Sequence, residues 1–207
     1  MNYTKIAING GLIALALVVA YLLYDSVRIP IEFKNTWESR EKKVRERLVE
    51  IAELQKMYKT LRGGYAPSFD SLKYVLTTDS FEIVMQKQGT EGEIIDLGTS
   101  YRPAIDSLQN FLQKSVTGKT NIDEYFKEIA QIPFSNNKQF RVEKDSAEVS
   151  GGVGGVVIQI PTFEVSALYR DYLPEYDSSY MMYNSDFNPI EVRKVGDLYK
   201  PSTSGNW

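Results

Sequence analysis

The sequence predicts an α+β protein: an N-terminal transmembrane helix, an amphipathic stalk helix, and a small head in which helices pack on an antiparallel sheet. Three observations lead there. Residues Ile6 to Tyr24, IAINGGLIALALVVAYLLY, carry no charge. The stretch 34–62 then sets apolar side chains at helical spacing on a charged background. In the last third, alternating apolar and polar residues are broken by glycine pairs, as in strands joined by hairpins. The chain divides accordingly into a cytoplasmic N-terminus (1–5), a transmembrane signal anchor (6–24), the stalk (34–62), the head (63–200) and a polar, loose C-terminal tail (201–207).

Composition narrows the chemistry before any motif is read. Among 207 residues there is neither cysteine nor histidine, which removes thiol nucleophiles, disulfides, Cys/His zinc sites and the usual proton shuttle of neutral pH. With 24 basic against 27 acidic residues the formal net charge is -3, so no basic field draws nucleic acid.

The uncharged N-terminal stretch would span roughly 28 Å as a helix, matching a bilayer core. Lys5 precedes it, Asp25 closes it, and Tyr3, Tyr21 and Tyr24 stand where interfacial aromatics belong. Ile6, Leu12, Leu15, Val18 and Leu22 are its anchoring side chains. A signal peptide has a shorter apolar region and a small-residue cleavage site, whereas Tyr24-Asp25-Ser26-Val27-Arg28 follows here, so an uncleaved anchor is expected. Orientation divides the signals. The C-terminal flank holds Arg28, Lys34, Arg40, Lys42, Lys43, Arg45 and Arg47, which favours a cytoplasmic head. Those cations are mixed with glutamates in a helix, however, and a sizeable domain is translocated regardless of flanking charge; an exported head is the expectation.

Pro30 predicts a bend between anchor and stalk. In the stalk, Val44, Leu48, Ile51, Leu54, Tyr58 and Leu61 draw one stripe, either docked on the head or used as a short coiled coil, and the charged opposite face reads as solvated. Gly63-Gly64 ends that helix, and Ser68 caps a new one with Leu72, Val75 and Leu76 inward. A strand is expected at residues 81–86, followed by a loop over 88–100. One helix opens at Pro103 with Ile105, Leu108, Phe111 and Leu112 inward; another is capped by Asn121, with Glu124 three residues on, and stops before Pro133. Residues 140–143, 148–149 and 153–160 read as strands with Gly151-Gly152 at a hairpin turn. Beyond Pro161 follow a short helix near 167–172, a tyrosine-rich loop over 172–183 and a last strand near 190–194.

No motif carries a convincing chemistry. Thr117-Gly118-Lys119-Thr120 ends like a phosphate loop, but Gln113 stands where its first glycine belongs, so a turn before the Asn121 cap is the better reading. Asn184-Ser185-Asp186-Phe187-Asn188 spaces oxygens as calcium loops do, yet Pro189 replaces the glycine turn and Val195 the final glutamate. The glycine run 150–155 opens no helix and reads as a flexible hairpin. Tyr172, Tyr176, Tyr180 and Tyr183 form a candidate contact surface, since tyrosine is frequent at interfaces. No catalytic residue, cofactor or metal is expected.

Two resemblances bear on these residues. Met57-Tyr58-Lys59, Gly63-Gly64-Tyr65 and Pro67 resemble the helix-to-head junction of pilins and type II secretion pseudopilins, but Asn2-Tyr3-Thr4-Lys5-Ile6 lacks the Gly-Phe-Thr-Leu-Ile-Glu type of peptidase site. The anchor, Arg47 to Leu76, Ile132-Pro133-Phe134-Ser135, Val157 to Glu164 and Gly205-Asn206-Trp207 are similar to a group of uncharacterised bacterial single-pass envelope proteins. That second resemblance implies a bacterial inner-membrane protein with a periplasmic head and supplies no activity. The functional expectation is a non-enzymatic subunit of a secretion- or pilus-like envelope assembly, with the bilayer and other envelope proteins or copies of itself as partners. The alternatives are a pilin-like filament subunit and an envelope sensor or enzyme with a pocket in the head.

Overall fold

A computed structural model describes residues 3–88, 94–151 and 156–207. The first element is a single helix, α1 (Tyr3–Arg62). The bend expected at Pro30 does not separate two helices: helical backbone continues on both sides of the proline. A proline inside a helix removes its own amide bond and crowds the carbonyl four residues back, while the turns before and after it keep their bonds. Gly63 ends α1 with φ 74°, a left-handed conformation glycine adopts without strain, and its amide donates to Lys59 O at 2.8 Å.

The corner that follows is pinned to α1 by a buried side chain. Gln55 Nε2 donates to Ala66 O (3.2 Å), while the Ala66 amide donates to Gln55 Oε1 (2.8 Å). Tyr65 lies against Phe163, ring centroids 4.4 Å apart. The chain then enters α2 (Phe69–Thr78), where Ser68 Oγ accepts from the Ser71 amide and Leu72, Val75 and Leu76 are buried, as expected from the sequence.

Two small antiparallel sheets complete the α+β head. The first pairs β1 (Ser80–Gln88) with β2 (Ile94–Pro103), in register from Ser80 opposite Pro103. Here the sequence reading of a loop over 88–100 is corrected. Residues 94–103 form a strand whose pattern is hidden by Gly98 and by polar residues, and whose regularity comes from its partner. Next come α3 (Ala104–Leu112), which buries Ala104, Leu108 and Leu112, and α4 (Ile122–Ile129), whose first turn is capped by Asn121 Oδ1 accepting from the Asp123 and Glu124 amides.

The second sheet has the order β3 (Arg141–Gly151), β4 (Val156–Leu168), β5 (Val192–Asp197). Gly152 of the expected hairpin turn lies outside the described residues. The strands are longer than expected: β3 is continuous, and β4 runs through Pro161. Pairing with β5 covers only Phe163 to Leu168, so β4 has a neighbour on one side alone at Pro161, where a missing amide is tolerated. The helix α5 (Tyr169–Tyr172) and a 3-10 turn (Ser178–Met182) lead into β5. Gly196 in β5 has φ 81°, and a Cβ there would stand 2.2 Å from Phe163 O, so only glycine fits this close crossing.

The tail is not loose. Gly205 bridges to Val195, the Gly196 amide donates to Ser204 O, and Asn206 accepts from the Lys194 amide through Oδ1 (3.0 Å) while its Nδ2 donates to Val192 O (2.8 Å). The tail thus covers the edge of β5. Its polar sequence concealed this, since backbone pairing leaves no hydropathy signal.

Candidate functional site

The two halves of α1 define the molecule's working geometry. Ile8, Leu12, Ile13, Leu15, Leu17, Val18, Leu22 and Leu23 are all exposed, on every side of the helix, with Leu15 at 60%. This stretch is long and apolar enough to cross a membrane, and none of it is buried within the chain. Ile6 belongs to the same helix. A helix apolar all round requires an apolar surrounding, unlike an amphipathic helix that leaves one face in water.

From Phe33 onward the helix is part of the head's core. Phe33, Trp37, Val44, Leu48, Ile51 and Leu54 are buried, and Tyr58 and Leu61 pack against the same cluster. Of the two uses open to the stalk stripe, docking on its own head is the one realised. The expectation that the stripe serves as a partner-contact face is therefore corrected: these side chains meet α2, β4 and β5. The division into separate stalk and head also fails to describe the packing, because the head's core is built around the helix.

The tyrosine-rich segment is corrected in part as well. Tyr172 is fully buried, and burial pushes its hydroxyl far above the ordinary tyrosine range. Tyr176 and Tyr180 are partly buried around Phe33, with ring centroids 4.9 and 5.2 Å away. Only Tyr183 of the four is on the surface. Tyrosine is as effective in a core as at an interface when its ring is stacked, and sequence does not separate the two uses.

The charged face of α1 was expected to be solvated, and several of its residues instead tie the helix to the head. Glu41 is buried and accepts from Arg193 Nε (2.7 Å), Arg45 Nη2 (2.5 Å) and, at 3.3 Å, the Tyr169 hydroxyl. Arg193 also lies over the Tyr169 ring at 4.9 Å and pairs with Glu191. Burial, reinforced by the Glu41 charge, raises the Tyr169 hydroxyl well above its usual value. Further out, Arg40 pairs with Glu175 and donates to Tyr172 O, while Arg47 pairs with Glu128 and donates to the Glu128 and Gln131 carbonyls. Periodicity could not reveal these ties, because a charge on a helix looks the same whether it faces water or a guanidinium from another strand.

Glu50 is the other buried acid of α1. Its carboxylate stands beside the Tyr125 hydroxyl, and neither of its oxygens makes a well-formed hydrogen bond. Desolvation raises its pKa, against the opposing pull of Tyr125, the Val116 amide and Arg47. Nearby, an open groove of about 650 Å³ runs between α1 and the end of α3, lined by Glu38, Lys42, Glu46, Val49, Phe111 and Val116 among others. Both charge signs line it, and the Glu50 oxygens are sealed from its solvent.

The remaining motifs fall into local structure. At Thr117-Gly118-Lys119, the Lys119 amide donates to Thr117 Oγ1 and Gly118 has φ 65°, a turn before the Asn121 cap. Asn184 and Asn188 turn their side-chain oxygens onto the amides of Asp186 and Ile190, while Phe187 is buried between them. Among the described residues, no group of three or more acidic side chains is placed to hold a metal ion. Compared with protein-family models, curated proteins and solved structures, the chain matches none.

Proposed function

We propose that this chain is a single-pass, membrane-anchored, non-enzymatic subunit of a bacterial envelope assembly, with its head on the exported side. The observation that carries the proposal is the continuity of α1: one helix joins a bare half with an uncharged stretch from Ile6 to Tyr24 to a half that forms the head's core. Such a connection leaves no flexible linker between the bilayer and the head, so the head is held at fixed height and orientation, as a scaffold subunit requires. The ion pairs of α1 support a structural role: buried Glu41 is engaged with Arg193 of β5 and Arg45, and Arg47 with Glu128, which holds helix to head.

The test is the side on which the head lies. The chain has no native cysteine, and Tyr199 is 83% exposed, so Tyr199→Cys offers a clean target for a membrane-impermeant maleimide. Labelling of cells whose outer barrier is permeabilised is expected. Labelling only after lysis would place the head in the cytoplasm and overturn the proposal.

A second reading, a pilin-like filament subunit, is favoured by one observation: the covered half of α1 lies against an antiparallel sheet while the other half stays bare for neighbouring copies. Disulfide crosslinking between copies of the double variant Leu15→Cys, Leu17→Cys, whose two thiols stand on opposite sides of the helix, separates the two readings. Ladders of many copies speak for a filament, and monomers or dimers for the scaffold.

A further inference from the structure

The segment after α5 packs on Phe33, the most N-terminal buried residue of α1 among the described side chains. At its start, Tyr172 O accepts from Arg40 at 2.9 Å, and Glu175 pairs with the same arginine. Further on, Tyr176 and Tyr180 stack around Phe33. Phe33 lies about 10 Å nearer the N-terminus of α1 than Arg40, so the segment descends along the helix before it turns at Ser178–Met182. Next to the rings on Phe33, exposed apolar side chains follow: Met181 is 42% exposed, Met182 78% and Tyr183 40%. They are not free-hanging, because the Tyr183 ring rests on Tyr180 with centroids 5.6 Å apart, and Tyr180 rests on Phe33.

Height decides what meets this patch. Phe33 is about 13 Å along the helix from Tyr24, where the uncharged stretch closes. The polar layer of a bilayer leaflet is roughly 5–8 Å deep, and exposed, unbranched methionine side chains are flexible enough to reach toward it. We propose that Met181, Met182 and Tyr183 form a foot with which the head rests on the lipid headgroup layer beside its own helix. Methionine adapts to an irregular lipid surface, and a tyrosine ring suits the boundary between headgroups and water. The exposed acids Asp177 and Asp186 flank the foot, so its contact is apolar insertion and not charge attraction. With a foot on the bilayer and α1 through it, the head is fixed against tilt at two points.

This inference rests on the membrane-anchored reading of α1, and the test separates the two. Single variants Leu15→Cys, Ser178→Cys and Tyr74→Cys of the full chain are spin-labelled and reconstituted in phosphatidylcholine–phosphatidylglycerol vesicles. Collision rates with oxygen and with a water-soluble nickel chelate are then measured. Leu15 reports the anchor; Tyr74 is exposed on α2, at the far end of α1, and reports water. A label at Ser178 is expected to meet the nickel chelate several-fold less than one at Tyr74, and to return to the Tyr74 value when Met181→Ser and Met182→Ser are added. If Leu15 is in lipid but Ser178 matches Tyr74, or if the serine pair changes nothing, the foot is overturned while the anchor stands. If Leu15 itself meets the nickel chelate freely, the anchor reading falls and the foot with it.

Discussion

The two halves of α1 are alike in backbone and opposite in what surrounds them. In the first half the apolar side chains from Ile8 to Tyr24 occupy every side and are exposed; in the second they form one stripe, and the stripe is buried in the head. A continuous hydrogen-bonded helix therefore says little about the role of its residues. The angular distribution of the apolar side chains decides whether the helix needs a surrounding medium or a single partner.

The contrast predicts unequal effects of equal truncations. Leu48→Ala removes a fully buried side chain and is expected to cost about 2–5 kcal/mol of head stability, measured by urea unfolding of the detergent-solubilised chain through the fluorescence of Trp37 and Trp207. Leu15→Ala is expected to leave the midpoint unchanged. Equal losses at both positions would erase the distinction between the halves.

A smaller effect is expected at the charged clamp. Glu41→Gln leaves Arg193 and Arg45 without their shared anion in a buried setting and should lower stability by about 1.5–3 kcal/mol. An unchanged midpoint would mean that the stripe alone holds the helix. Asn206→Ala removes both side-chain bonds of the tail and should cost about 1 kcal/mol. It should also speed amide exchange at Lys194; unchanged exchange there would return the tail to a loose terminus.

The smallest expected effect has the opposite sign. The folded state raises the Glu50 pKa, so between the ordinary carboxylate value and the raised one it holds more protons than the unfolded chain. Stability then falls as pH rises through that window. Glu50→Gln removes this loss, so the variant should gain on the wild type toward neutral pH and show no such gain in acid. Parallel melting curves from pH 4 to pH 8 would contradict the buried acid.

Where a signal is local, the sequence exposed it. Ser68 and Asn121 as caps, Gly63 as a helix end and the inward faces of α2 and α3 depend on neighbours a few residues away. The features that escaped depend on distant partners. Residues 94–103 become a strand through β1, and the tail is ordered by β5. Glu41 becomes a buried anchor because Arg193 arrives from a strand at the other end of the sequence. Tyr172 and Tyr183 carry the same side chain, and the fold buries one and exposes the other. The stripe itself was legible, but its partner was not, since a heptad-like row fits another helix and a sheet equally well.

The continuity of α1 through Pro30 carries the whole account, and one distance tests it. Val18→Cys and Glu46→Cys, both at exposed positions, are spin-labelled in the full chain and placed in lipid nanodiscs for pulsed dipolar spectroscopy. An unbroken helix predicts a single narrow distribution centred at about 42 Å. A broad or much shorter distribution would mean that the helix hinges at Pro30 and that the head is tethered to its apolar half instead of held by it.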